Sequence, residues 1–498
     1  MSTATIQDRH EIETGFQNVF PLPLTTMESF MSLDATPSYP MMCDMELHFR
    51  GRIDRDAFNS ALELAMARAP LFRSVVEFES RVARWVLTSR SPRVQWTVTD
   101  PDPDSNSDHD SNSDHDSNSD PDSNSDPDSN SAPMDDPMDD PIYDSFIDLT
   151  QEPGLRIWVQ QGQHRSKVLL HFHHSCSDGI GGYAFIEDLL TGYAAAIAGN
   201  KTPEFRPLNP QRLCHRSAEG ETKRSIYRGI VDTVVGVREG LRFFWQKPIT
   251  IRPTADPALL ESTQHLQRGY MHESCDESVA LALRVAASRL NVKVNDILLR
   301  DLFLTLVRWQ QERGHALGKE TLRILMPQNL RNRADREMPA ANHMAFAFLT
   351  RQADRVQNAA ALDSIAEETA AIRRGQLSRY CLGGLASLES AGLLKSVLQR
   401  RTSLSTAVLT NIGNPIRRFI TRFPMQEDGL VAGNLVLDKL TATPPVRPFT
   451  GVAFCISNHG TTFSVSLKCD PYAFQPQQRA ELLRMYLDQL QCSANSLG

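Results

Sequence analysis

Val168-Leu-Leu-His-Phe-His-His-Ser-Cys-Ser-Asp178-Gly179-Ile-Gly-Gly182 is the stretch that decides how this 498-residue chain folds. Its apolar beginning reads as a strand over 167–174, and its glycine-rich end reads as a turn that opens a helix. Side chains alternate along a strand, so His173 and His174 face opposite ways. One can line a cavity while its neighbour packs inward. An imidazole so placed suits general-base work, because its ordinary pKa lies near neutrality and small environmental shifts tune it. Asp178, just past the strand, can hold the turn by pairing with a buried Arg. Gly179 permits a backbone conformation that a side chain would obstruct.

Working outward, a strand over 155–160 precedes this one, and a helix over 179–200 follows. The helix carries the stripe Phe185, Ile186, Leu189, Leu190, Tyr193 and Ile197 and is closed by Gly199. Further upstream, 45–49 reads as a strand, and Asp54 caps a helix that runs to about 69, before Pro70. Short strands are expected at 85–87 and 95–98. Downstream, helices are expected over 277–290 and 296–313, with strands over 322–326 and 345–350. A hairpin of 452–457 and 462–468 turns about Asn458-His459-Gly460, and a last helix runs over 476–490. Strands and helices mixed in two similar halves predict an α/β fold of two sandwich domains with a cleft between them. The expected division is a first half over 1–204, a crossover with a helix near 226–245 over 205–272, and a second half over 273–498. Such a length is ample for two cores, since one core stops growing near roughly 250 to 300 residues.

One segment breaks the pattern. Between Asp100 and Asp140 there are fifteen aspartates and no Lys or Arg, in six-residue repeats of Asp-Ser-Asn-Ser-Asp followed by His or Pro. With little apolar surface and self-repelling charge, 100–141 reads as a disordered insertion. Setting it aside turns the formal charge of −8 into +7. A mildly basic body suits an anionic partner such as coenzyme A phosphates or an acidic carrier protein, and is too slight for nucleic acid. The eight cysteines lack the close pairs of zinc or redox motifs, so reduced thiols in a cytoplasm are expected. Residues 1–15 carry acids and no apolar stretch, so no signal peptide is read there. No apolar run approaches the roughly 18 residues of a spanning helix, which leaves at most peripheral membrane contact.

The string His173-His174-Ser-Cys-Ser-Asp178-Gly179 resembles the HHxxxDG signature of the superfamily that holds chloramphenicol acetyltransferase, peptide-synthetase condensation domains and wax ester synthase/diacylglycerol acyltransferases. Features in family order surround it. Gly51-Arg-Ile-Asp-Arg-Asp-Ala57 with Arg68-Ala-Pro-Leu-Phe-Arg73 looks like the first helix of condensation domains. Asp148-Leu149 through Pro153-Gly-Leu155-Arg-Ile-Trp158 resembles the strand that precedes their motif. Val294-Asn295-Asp296-Ile297-Leu298 is similar to the Asn-Asp motif of the wax ester synthase branch. Thr410-Asn411-Ile412-Gly413-Asn414-Pro415 resembles that branch's Asn-Val-Pro-Gly-Pro segment, with Ile-Gly in place of Val-Pro.

The resemblance implies an acyltransferase whose two chloramphenicol-acetyltransferase-like domains form a V around a substrate tunnel. His174 would take the acceptor's proton as the acceptor attacks an acyl thioester, with His173 structural. Asp178 would orient the motif through an Arg, for which Arg331 is preferred and Arg156 stands second. Ser405, Thr406 or Asn411 would offer a group to the oxyanion or line the tunnel. Asn295 reads as a helix N-cap, with Asp296 at the positive helix end, and that structural account suffices without invoking substrate. His174 and Asp178 lack a third ligand at recognisable spacing, so no metal is expected. Cys176 reads as a plain thiol rather than a nucleophile.

Three functions follow. The first joins acyl-CoA to an alcohol to give an ester. The second is a stand-alone condensation enzyme that takes its acyl group from a carrier protein, with an amine or hydroxyl acceptor. The third is a silent relative that uses the cleft for binding. No cofactor is expected beyond the thioester co-substrate, and a monomer is expected.

Overall fold

The computed structural model describes residues 12–79, 82–98, 146–199, 202–217, 246–251, 270–315, 317–374, 376–400, 403–414, 418–427, 429–459 and 462–497. The acidic insertion at 100–141 and the helix expected near 226–245 lie outside the described residues.

The first part of the chain runs β1 (Leu22–Pro23), α1 (Thr26–Asp34), β2 (Met42–Arg50), α2 (Arg55–Arg68), β3 (Ser74–Glu79), β4 (Val82–Leu87), β5 (Arg93–Val98), β6 (Leu155–Gln161), β7 (Arg165–His173) and α3 (Gly179–Ile197). The second part runs β8 (Tyr270–Cys275), α4 (Glu277–Arg289), α5 (Val294–Glu312), β9 (Thr321–Asn329), β10 (Met344–Gln352), α6 (Ala361–Arg373), α7 (Gln376–Ser390) and α8 (Leu394–Leu398). It continues through β11 (Ala407–Gly413), β12 (Met425–Gln426), β13 (Gly429–Ala432), β14 (Leu435–Thr443), β15 (Val452–His459), β16 (Thr462–Cys469) and α9 (Pro476–Leu497). The strands form a small sheet β1-β4-β3 and two large ones, β12-β13-β14-β2-β7-β6-β5 and β10-β9-β11-β15-β16-β8.

Local chemistry sets these boundaries. Asp54 starts α2 by accepting the Ala57 N–H at 2.8 Å, and Pro70 follows its end. Helix α5 begins at Val294 rather than Asp296, because the Asp296 carboxylate accepts the Lys293 N–H at 2.8 Å. Asn295 therefore sits inside the first turn and is not the N-cap that the sequence suggested.

Each large sheet has one helix-covered face and one face turned toward the other part of the molecule. On β7, Val168, Leu170 and Phe172 enter the core beneath α2 and α3, each such side chain contributing about 2 kcal/mol of burial, while Leu169, His171 and His173 take the opposite face. On β9, Leu322 and Ile324 enter a second core with α4, α5 and α9. Arg323, Leu325, Pro327 and Asn329 take the other face and line a cavity.

The two parts also exchange elements. Strand β14 pairs antiparallel with β2, with Thr441 opposite Glu46, so residues from 425 to 443 extend the sheet that carries the histidine motif. In return α1 leaves the first part. Its Met27, Phe30 and Met31 join Leu325, Phe346 and Val408 in a third apolar cluster.

Candidate active site

His174 lies one residue beyond β7, and three hydrogen bonds hold it. Its N–H donates to Met41 O at 2.8 Å, its carbonyl accepts from Asn342 Nδ2 at 2.8 Å, and ring Nδ1 lies 3.0 Å from Ser177 O. A carbonyl oxygen only accepts, so Nδ1 carries the proton and the basic lone pair is on Nε2. Burial pulls the His174 pKa below its ordinary value, against the Ser177 carbonyl and Asp178, which favour the charged ring. The free imidazole is therefore neutral at pH 7.

His173 is the packed member of the pair. It is buried, and its Nδ1 accepts the Ser175 N–H at 3.2 Å. Burial, with His174 and His171 close by, pushes its pKa down to about 3.

Asp178 caps α3. One carboxylate oxygen accepts the Gly181 N–H at 2.8 Å, while the other accepts Arg331 Nη1 at 2.6 Å and the His343 N–H at 2.9 Å. Burial opposes its ionisation, but Arg331 and the two amides outweigh that and hold the carboxyl below the usual carboxylate range. Arg331 also donates to Ala341 O at 2.7 Å. Arg156, the other candidate, pairs with Glu152 at 2.5 Å instead.

Residues 341–343 thus clamp the motif. Ala341 bonds Arg331, Asn342 bonds the His174 carbonyl, and His343 bonds Asp178. The approach is close enough that a Cβ on Gly181 would stand 2.7 Å from Ala341 O. Asn342 was not singled out from sequence, because a lone Asn before a strand carries no distinctive pattern.

His174, Asp178 and Gly179 line a cavity of about 860 Å³. Its floor is the face of β9, β10 and β11 turned away from the second core, and its roof comes from α1, α7 and α8. Of the oxyanion candidates, Asn411 lines it, with Nδ2 3.4 Å from Asn295 Oδ1. Ser405 and Thr406 do not. Both are buried, Ser405 Oγ facing Thr450 Oγ1 at 3.3 Å and Thr406 Oγ1 accepting the Arg323 N–H at 3.1 Å. On β11 the cavity is lined by Val408, Thr410, Asn411 and Ile412, and the register with β15 shifts between Asn411 and Gly413. Asp296 is buried and accepts from Thr369 Oγ1 at 2.6 Å, so it serves helix α5. Cys176 is buried against Gly154; burial, with Glu28 nearby, pushes its thiol well up and leaves it inert.

Comparison with solved structures decides the architecture. The first condensation domain of the calcium-dependent antibiotic synthetase, bound to a substrate analogue, superposes with a TM-score of 0.63 at 14% identity, over 96% of this chain and 97% of that one. The fold is that of condensation domains. A starter condensation domain of rhizomide synthetase, solved with C8-CoA, gives 0.61 at 15% identity over 96% and 95% of the two chains. The SgcC5 protein of Streptomyces globisporus gives 0.61 at 14% over 95% and 98%. The two-lobed α/β architecture expected from sequence is therefore present. No family model matches the chain. Two uncharacterised proteins, from two strains of Mycobacterium tuberculosis, are each 23% identical over 395 residues, 77% of this chain and 78% of theirs. Among the described residues no helix is long and apolar enough to cross a membrane.

Proposed function

We propose that the protein transfers an acyl group from a thioester, acyl-CoA in the first instance, to an alcohol, with His174 as general base. The observation that carries this reading is the Nδ1–H of His174 tied to Ser177 O, which leaves Nε2 as the basic atom of a ring that lines the cavity. The acceptor O–H gives its proton to Nε2 as its oxygen bonds the thioester carbonyl carbon. The tetrahedral intermediate then expels the sulfur, breaking the C–S bond, and the imidazolium returns the proton to the leaving thiolate. Asn411 is the cavity group best suited to donate to the oxyanion. Asp178 and Arg331 hold the turn and take no proton.

Support for a thioester donor comes from the fold shared with condensation domains, one of them holding C8-CoA. A carrier-borne acyl donor fits the same site. The purified chain should be given labelled acyl-CoA and, separately, a loaded acyl-carrier protein, across alcohols and amines. Ester from acyl-CoA is the expected product, and reaction only from the carrier-loaded form would replace the donor assigned here. His174→Ala should lower turnover about 100-fold or more with the melting temperature unchanged. Full activity in that variant would remove His174 from the chemistry.

A further inference from the structure

The cavity has a direction. On its floor β9 and β10 pair in register, Asn329 with Met344, Pro327 with Phe346, Leu325 with Phe348 and Arg323 with Thr350, and all eight residues line it. Alternate residues on a strand stand about 6.8 Å apart, so these four rows cover roughly 20 Å. The histidine motif stands at the Asn329 end, because Arg331, two residues on, binds Asp178 and Ile412 packs against Gly179. The middle rows are apolar, and Phe30, Met31, Leu385 and Leu388 face them from α1 and α7.

The far end changes character. Arg323 donates to Thr350 Oγ1 at 3.1 Å and to Gln246 O at 2.7 Å, and Arg351 pairs with Glu368 at 2.7 Å. These groups line the cavity too. A hydrocarbon chain gains burial along the middle rows and meets committed polar groups at the last one, where it gains nothing more.

We infer that this groove holds the acyl chain of the donor, a saturated chain of roughly 10 to 16 carbons laid along β9 to β11 with its carbonyl at His174, given about 1.3 Å of advance per carbon in a staggered chain. The Arg323 row sets its length. The inference rests on the acyl-transfer reading and adds the substrate class. A small alcohol needs no such groove, and the charged nucleotide of a CoA would not be stable between Phe346, Phe348 and Leu385.

Gly384 is the position that tests it. It lies on the cavity side of α7, between Cys381 and Leu388 in helical spacing. A Cβ there meets nothing within 4 Å, so a larger side chain has open space at its first carbon. Because Gly is itself disfavoured inside a helix, Gly384→Phe should not weaken α7.

The test uses the full chain with acetyl-, butyryl-, octanoyl-, dodecanoyl-, hexadecanoyl- and icosanoyl-CoA, measuring equilibrium binding by calorimetry alongside turnover. Affinity should rise about two- to fourfold per methylene, then level off between roughly 10 and 16 carbons. Gly384→Phe should weaken dodecanoyl-CoA at least tenfold and leave butyryl-CoA within about twofold; Leu385→Trp reads the same dependence should Gly384→Phe fail to fold. A flat chain-length profile, or equal losses for short and long chains, would overturn the inference. The two readouts on the wild-type chain separate it from the reading beneath it, and in His174→Ala the length-dependent binding should persist while turnover falls. In wild type, length-dependent binding without turnover of any acceptor sinks acyl transfer and keeps the groove, whereas turnover with a flat profile does the reverse.

Discussion

At the residue scale the Asp178–Arg331 pair carries the most. Asp178→Asn keeps an oxygen for the Gly181 N–H but leaves Arg331, largely buried, without its charge partner and offers an NH₂ toward the His343 N–H. Breaking such a pair costs about 3–5 kcal/mol, so urea unfolding should show a loss of that order together with a fall in turnover. Arg331→Met added to Asp178→Asn should cost less than the two singles summed, because the second change removes an already uncompensated charge. Unaltered stability and activity in Asp178→Asn would contradict the orienting role. The sequence offers this pair, since an acid just past a strand end can hold the turn by pairing with a buried Arg, and Arg331 is the partner preferred under the resemblance. The oxyanion candidates were less legible. Strand phase decides which of neighbouring residues faces a cavity, and the phase of β11 with its register shift after Asn411 cannot be read from composition.

At the scale of elements, α3 is built to lie close to residues 341–343. A Cβ on Gly181 would meet Ala341 O at 2.7 Å, Ala341 N at 2.9 Å and Ser177 Oγ at 2.2 Å, and the first two are backbone atoms that cannot swing aside. Gly181→Ala should therefore cost about 1–3 kcal/mol and push α3 off the clamp, lowering turnover more than a surface Ala substitution of equal stability cost. An unchanged melting temperature would show that the clamp yields freely. Strands β7 and β9 and helices α2 and α3 were legible because period and caps agreed. Helix α1 was missed although Thr25 and Glu28 form a capping box, the Thr25 N–H donating to Glu28 Oε2 at 2.8 Å, because its apolar residues serve a neighbouring sheet rather than a stripe of its own. Helix α7 was missed for a related reason: Gly383 and Gly384 interrupt its pattern where the cavity passes.

At the scale of the whole molecule, two sheets meet across a polar layer, and which sheet a strand joins is not written in the strand itself, as β14 shows by pairing with β2. In that layer Tyr270 of β8 donates to Glu46 of β2, Lys167 of β7 pairs with Glu46 at 2.7 Å, and the rings of His48 and His272 stand 6.4 Å apart. Burial, with Lys439 of β14 and then His48 and Lys167 adding to it against Glu46, pushes the His272 pKa down to about 4. The ordinary value is about 6.5, so the folded state binds fewer protons than the unfolded one between these limits. The stability that neutral His272 contributes is complete above about pH 6.5 and drains away as pH falls toward 4, about 1–2 kcal/mol being lost by pH 5. His173, His174 and His343 are lowered too and act in the same sense. Asp301, pushed up to about 6 by burial, acts in the opposite sense. The raw slope of stability against pH therefore mixes signs, and the informative quantity is the difference between wild type and His272→Gln. That variant cannot take up the proton, so urea unfolding at pH 7 and pH 5 should show it losing about 1–2 kcal/mol less than wild type over the interval. Equal losses in the two proteins would mean that the layer between the sheets admits enough water to hydrate a charged imidazole.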